Sequence, residues 1–251
     1  MLEAISGFDP DDPFSRRADG FGSVRARNAE KGTFSFGVPR LQDREFFGNS
    51  ESAQLFNQAI ERLQGLGGTA VEIDLAPFLE VGRLLFSGPW LAERLFAVRD
   101  LIEKEPDALL PVIRDILRDS RKWSALDAFE YFYQLRKLRR RIDTAWQDID
   151  VLVVPTSGTA YSIAEIQQDP VRLNNHLGHY SYFVNLVEMC AVSVPNGFLP
   201  TCGVAMGITM IGRRWHDAKI ARLASAYHNA LGIVPGMFGK PSARPRHNLV
   251  A

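Results

Sequence analysis

The sequence predicts an α/β fold in which helices and strands alternate through one compact unit. Three observations carry this. "TAVEIDL" (69–75) alternates apolar and polar residues with the period of a half-buried strand. "DVLVVPT" (150–156) is a nearly continuous β-branched run, as expected of a strand buried on both faces. Before the first of these, apolar residues at 55, 56, 59, 60 and 63 repeat with helical spacing. Residues 1–239 are expected to form a single α/β domain and residues 240–251 a flexible tail.

The elements follow in order. "FDPDDPFSRRADGFG" is rich in Pro, Asp and Gly and predicts an extended, loop-like start. "GTFSFGVPR" (32–40) is a short strand closed by Pro39. The helix from Ser50 should be capped by Ser50 or Ser52 and stopped by the glycines at 65, 67 and 68. Residues 77–147 read as mostly helical, and their last long helix carries the basic run Arg136 to Arg141, which suits a solvated face. Pro155 stops the buried strand, and "AVSVPNGF" and "GVAMGITMIG" are two further strands. "DAKIARLASAYHNALG" is a closing amphipathic helix with Gly232 at its C-terminal end.

Composition excludes several classes of function. Lys plus Arg and Asp plus Glu balance at 29 each, so no overall field recruits nucleic acid or an anionic membrane. No apolar run approaches the ~20 residues of a membrane span. The N-terminal residues lack the basic stretch of a signal peptide, and the two cysteines, Cys190 and Cys202, form no C-x-x-C, so a cytoplasmic protein with reduced thiols is expected.

Motifs that would carry chemistry are incomplete. The glycines of "GLGGT" (65–69) follow a helix and precede a strand, the reverse of a phosphate loop. His176 and His179 share a helical face by spacing, but no third metal ligand stands near, so no metal and no cofactor are expected. Cys190 lies in apolar "LVEMCAVSV", where a thiol is inert, and neither G-x-S-x-G nor S-x-x-K occurs. The segment 177–198, "LGHYSYFVNLVEMCAVSVPNGF", is polar and aromatic at its start and apolar at its end; it can serve as pocket wall or as packing.

"GFDPDDPFSR" (7–16), "FSGPWLAER" (86–94), "DVLVVPTSGTAYSIAEIQQDPVRLNNHLGHYSYFVNL" (150–186) and "CAVSVPNGF" (190–198), taken together and in order, resemble the amidase signature family, and within it the allophanate hydrolases. Where that pattern has Thr-Asn, this chain has Ser181-Tyr182, a change at the expected pocket edge. The resemblance implies a mixed sheet flanked by helices, the second half of an amidase domain. It also implies amide hydrolysis by a Ser–cis-Ser–Lys triad whose glycine- and serine-rich loop stabilises the oxyanion. No such loop or matching lysine occurs in these 251 residues, so the chain is expected to be the carboxy-terminal half, inactive alone. No catalytic residue is assigned to it. The expected partners are a small amide or carboxylate substrate and either an amino-terminal catalytic half or further copies of the chain. The alternative is a non-catalytic substrate-binding or assembly subunit of a split amidase. The resemblance further implies substrate binding by a Tyr and an Arg about two turns apart on the long helix. Tyr133 and Arg141 fit that spacing best; Tyr131 and Arg139 share it, and Arg140 lies nearer the face of Tyr133.

Overall fold

The computed structural model describes residues 7–17 and 33–232. Among these, one mixed sheet has five strands: β1 (Phe34–Pro39), β2 (Gly68–Ile73), β3 (Val151–Pro155), β4 (Cys190–Phe198) and β5 (Ala205–Gly212). They lie in the order β2-β1-β3-β5-β4. β1 runs parallel to β2 and β3, and β5 runs antiparallel to β3 and β4. The helices are α1 (Ser50–Gly65), α2 (Ala76–Ser87), α3 (Trp90–Lys104), α4 (Pro111–Asp119), α5 (Ala125–Ala145), α6 (Ile163–Gln168), α7 (Arg172–Gly178), α8 (Phe183–Leu186) and α9 (Asp217–Leu231). The mixed sheet with flanking helices is the expected architecture. The expected tail at 240–251 lies outside the described residues.

β3 shows why the sheet is buried on both sides. Successive side chains of a strand point to opposite faces. Leu152 and Val154 enter a layer with Phe78, Leu138 and Phe183, whereas Val151 and Val153 enter a second layer with Phe56, Leu63 and Ile220. Helices α2, α5 and α8 thus cover one face, and α1 and α9 the other. A small third cluster, Leu95, Ile102 and Leu117, joins α3 to α4.

Local signals set the ends of the elements. The cap of α1 is Asn49 rather than Ser50 or Ser52, because the helix already begins at Ser50 and the Asn49 side chain accepts from Ser52 N at 2.9 Å. Its stop is as expected: Gly67 takes a left-handed φ of 92°. Gly232 ends α9 in the same way, with φ 68°. β1 and β3 end at Pro39 and Pro155.

β4 carries a bulge between Pro195 and Gly197 that turns Asn196 inward, where it is only 4% exposed. Asn196 Nδ2 donates to Leu55 O at 2.7 Å, and its Oδ1 accepts from Arg62 at 3.1 Å and from the Tyr227 hydroxyl. Arg62 also donates to the Tyr227 hydroxyl at 2.8 Å. This polar knot fastens α1, β4 and α9 to one another inside an apolar layer.

Asp150 locks the start of β3 to β1. It accepts from Ser35 N at 2.9 Å, from Ser35 Oγ at 3.1 Å and from Lys219 Nζ at 2.6 Å. The Lys219 and Ser35 bonds hold its carboxyl below the usual aspartate range. Its contribution to stability is therefore complete above about pH 4, the ordinary aspartate value, and is lost as pH falls through the lower, folded one. Asp150→Asn should flatten the acid side of the stability profile, followed as urea midpoints between about pH 6 and pH 3. Parallel profiles for the two proteins would place the acid sensitivity elsewhere.

Candidate functional site

Ligands of sheets with parallel strands gather beyond the carboxyl ends of those strands. Here the segments after β1 (40–49) and β3 (156–162) meet there. Tyr180, fully buried, clamps the first of them: its hydroxyl accepts from Glu45 N at 2.6 Å and donates to Glu45 O at 3.0 Å. Burial pushes its pKa up to about 12, so it serves as a neutral donor and never as a base. Gly158 lets the second segment come close, because a Cβ there would lie 2.5 Å from Glu45 O. Asn49 Nδ2 reaches Thr159 Oγ1 at 3.3 Å across the same gap.

The polar start of 177–198 and the residues just before it wall this end. The Phe47 ring stacks on His176 at 3.9 Å and meets His179 edge-on at 5.6 Å. His176 Nδ1 bonds the Tyr161 hydroxyl at 2.6 Å. The spacing of the two histidines therefore serves to grip Phe47. Among the described residues no group of three His, Cys, Asp or Glu side chains could hold a metal ion. Burial, with help from His176 and Arg83, lowers the pKa of His179, which is neutral near pH 7.

Beside His179 a cleft of about 210 Å³ opens between α2 and residues 175–182. One wall carries Leu79, Arg83, Phe86 and Ser87, and the other Asn175, His179 and Tyr182. Tyr182 reaches its place through two glycines. A Cβ on Gly178 would overlap its ring, and one on Gly82 would lie 3.4 Å from its Cβ. The ring rests on Phe86 at 4.4 Å, and its hydroxyl donates to Asn174 O at 2.8 Å and accepts from Asn174 Nδ2 at 2.9 Å. The other end of 177–198 is packing: Phe183 and Val184 are core, and Asn196 belongs to the knot described above.

The residues expected to bind substrate lie elsewhere on the surface. Tyr133 is 61% exposed, with the Phe132 ring edge-on to it at a centroid distance of 6.4 Å. Arg141 forms an ion pair with Glu80 at 3.7 Å and lines a second cleft of about 410 Å³ with Glu72, Asp74 and Asp148. No contact joins Tyr133 to Arg141, and neither lines the cleft beside His179. The other register is engaged inward. Tyr131 donates to Ser87 O at 3.2 Å, and Arg139 donates from Nε to Leu186 O at 3.1 Å and reaches Glu188 at 3.4 Å. Arg140 is exposed. Sequence reading passed over Arg83, Ser87 and Asn175; the glycines that admit Tyr182 were the available sign. Cys190 is half-buried, and burial pushes its thiol pKa up to about 11, as its apolar surroundings predict.

Comparison with known proteins places this geometry. Residues 1–221 match the family model "Amidase". Urea amidolyase of Lachancea kluyveri is 36% identical over 184 residues, which cover 72% of this chain and 10% of that protein. Urea amidolyase of Saccharomyces cerevisiae is 31% identical over 211 residues, covering 81% of this chain and 11% of that protein. The structure of Kluyveromyces lactis allophanate hydrolase superposes with a TM-score of 0.84 at 30% identity, covering 92% of this chain and 37% of that one. The chain thus spans between a tenth and somewhat over a third of these relatives. Similarity along most of its length, in sequence and in fold together, shows that the chain belongs to the amidase signature family.

Proposed function

We propose that this chain forms the sheet-bearing half of a cytoplasmic amidase of the allophanate hydrolase type. That enzyme hydrolyses an amide C–N bond, converting allophanate to ammonia and carbon dioxide in urea breakdown. The observation that carries this reading is the match of nearly the whole chain to the allophanate hydrolase structure. The nucleophile comes from residues outside this sequence. Within it, the Thr156 hydroxyl just beyond β3 bonds that of Thr209 on β5 at 2.9 Å, Ser193 on β4 bonds Thr209 at 2.8 Å, and the Ser157 hydroxyl donates to the Thr159 backbone carbonyl at 2.7 Å. Among the described residues none of these has a lysine or histidine partner to take its proton, which a nucleophilic hydroxyl needs.

The substrate carboxylate would be met by Tyr133 and Arg141. Arg139 already gives its N–H groups to Leu186 and Glu188, whereas the Arg141 pair with Glu80 is long and exposed and is readily exchanged for a ligand. A planar fork on a carboxylate is worth roughly 1.5–3 kcal/mol, so Arg141→Lys in the completed domain should lower kcat/KM on allophanate about tenfold to a hundredfold. A neutral amide should be unaffected, and the 251-residue chain alone should release no ammonia. Equal losses on both substrates would make Arg141 part of the solvated face, and a selective loss in Arg139→Lys instead would move recognition to the other register. Ammonia release by the chain alone, abolished by a single Ser→Ala change within it, would overturn the split-site reading.

A further inference from the structure

We propose that a cavity at the amino-terminal end of β3 binds a phosphate monoester with a hydroxyl-bearing body, the chemistry of a nucleoside or sugar monophosphate. The cavity measures about 650 Å³ and lies between the end of α5, the turn before β4 and the loop from β5 to α9. It is thus at the opposite end of the sheet from the segments that follow β1 and β3. Its walls hold donors that the protein leaves unused. Trp146 is 5% exposed, and its indole Nε1, which can only donate, makes no hydrogen bond among the described residues. His216 Nδ1 is buried without a partner at the same cavity. Buried ring nitrogens are rarely left so. The Arg213 guanidinium lies over the Trp146 ring, 6.0 Å from its centre, and makes no ion pair among the described residues. An oxygen-rich ligand would give the guanidinium and the indole the acceptors they lack.

The charge here suits a dianion. Glu188 is already shared by Arg16 at 3.3 Å, Arg139 at 3.4 Å and Arg214. With Arg213, four guanidiniums stand against two carboxylates, Glu188 and Asp143. A phosphate monoester carries a charge of about −1.5 to −2 near neutral pH, whereas a single carboxylate would answer only half of this excess. Beyond the lining, Lys219 is paired with Asp150, and burial keeps His216 neutral near pH 7. α9 begins directly after His216 with no side chain capping it, so the positive end of its dipole adds to the field, offset in part by Asp217. For the body of the ester, Val187, Met189 and Trp215 supply apolar surface, and Asp143 can accept from a hydroxyl. The backbone is also unusual. Glu188 and Trp215 take left-handed φ values of 54° and 68°, rare for such side chains, and both line the cavity. Strain of this kind gathers at ligand sites.

The test is a titration of the 251-residue chain with adenosine monophosphate, adenosine and inorganic phosphate, followed by calorimetry and by the indole N–H resonance of Trp146. Adenosine monophosphate should bind saturably, roughly tenfold or more tighter than either of the other two, and should shift the Trp146 signal. Arg213→Gln should weaken that binding about tenfold and leave the weak binding of adenosine unchanged. Trp146→Phe keeps the apolar body without the N–H and should weaken it by a smaller factor. Arg118→Gln, on the exposed face of α4, should do neither. Equal binding of the ester and adenosine would overturn the proposal, and so would no saturable binding. Equal binding of the ester and inorganic phosphate would overturn it too, since the cavity would then hold an ion and no ester. Unchanged binding by a folded Arg213→Gln variant would have the same force. Should that variant fail to fold, the preference of the unaltered chain among the three probes and the Trp146 shift decide the question alone. None of these readouts involves turnover, so they stand whether or not the completed domain hydrolyses allophanate.

Discussion

Replacing Asn196 with alanine should lower the stability of the folded chain by about 2–4 kcal/mol, since each buried polar group left without a partner costs roughly 1–3 kcal/mol. The side chain is small, and the loss of apolar area is minor. What is lost is a donor to Leu55 O and a shared acceptor for Arg62 and Tyr227. All of these atoms stay inside the layer between the sheet and the pair α1 and α9, where water does not easily replace the amide. Tyr227→Phe removes one hydroxyl and should cost about 1–2 kcal/mol, because Arg62 keeps its bond to Asn196. The double variant should cost less than the sum, as expected when two residues share one network. Urea denaturation of the three variants measures this. A loss below about 1 kcal/mol for Asn196→Ala would mean that water enters the knot and satisfies it.

Gly178→Ala should be nearly as damaging, about 2–3 kcal/mol, and for a different reason: the new methyl and the Tyr182 ring claim one volume. The ring cannot slide aside cheaply, since Phe86 backs it and Asn174 holds its hydroxyl at both donor and acceptor. Removing the ring should therefore reverse the sign of the effect. In a Tyr182→Ala background, Gly178→Ala should be neutral or stabilising, because alanine is the better helix residue at the end of α7. Thermal unfolding of the two singles and the double closes the cycle. Additive losses would show that the damage lies in the α7 backbone and not in the slot.

The main elements were legible because each carries a long, clean pattern. β3 is a nearly continuous β-branched run, α1 has five apolar positions in register, and prolines end β1 and β3 where the strands stop. The cap of α1 was less legible, because Asn49, Ser50 and Ser52 are all good capping residues and only the backbone decides among them. Helices α6, α7 and α8 are too short for a helical period to establish itself. The cleft was the least legible feature. It joins Arg83 and Phe86 to Asn175 and Tyr182, residues far apart in sequence, and each is ordinary in its own neighbourhood. Beside the glycines that admit Tyr182, the change to Ser181-Tyr182, expected at a pocket edge, falls on this cleft, which Tyr182 lines. The contact that makes it matter is with Gly82, on the opposite wall.

The order of the strands bears on how the chain reaches this structure. β4 and β5 follow one another and pair directly, and β1 and β2 are separated only by α1 and its turns. The two modules are joined through β3, which meets β1 only after the whole stretch containing α2 to α5 has been made. Local pairings close small loops and form fast, whereas a distant pairing must first meet the larger entropy of closure. The docking of β3 onto β1 is therefore the slow event. Until it happens, the inner edge of β1 and both apolar faces of β3 stand open, the state in which a folding chain is most prone to stick to its neighbours.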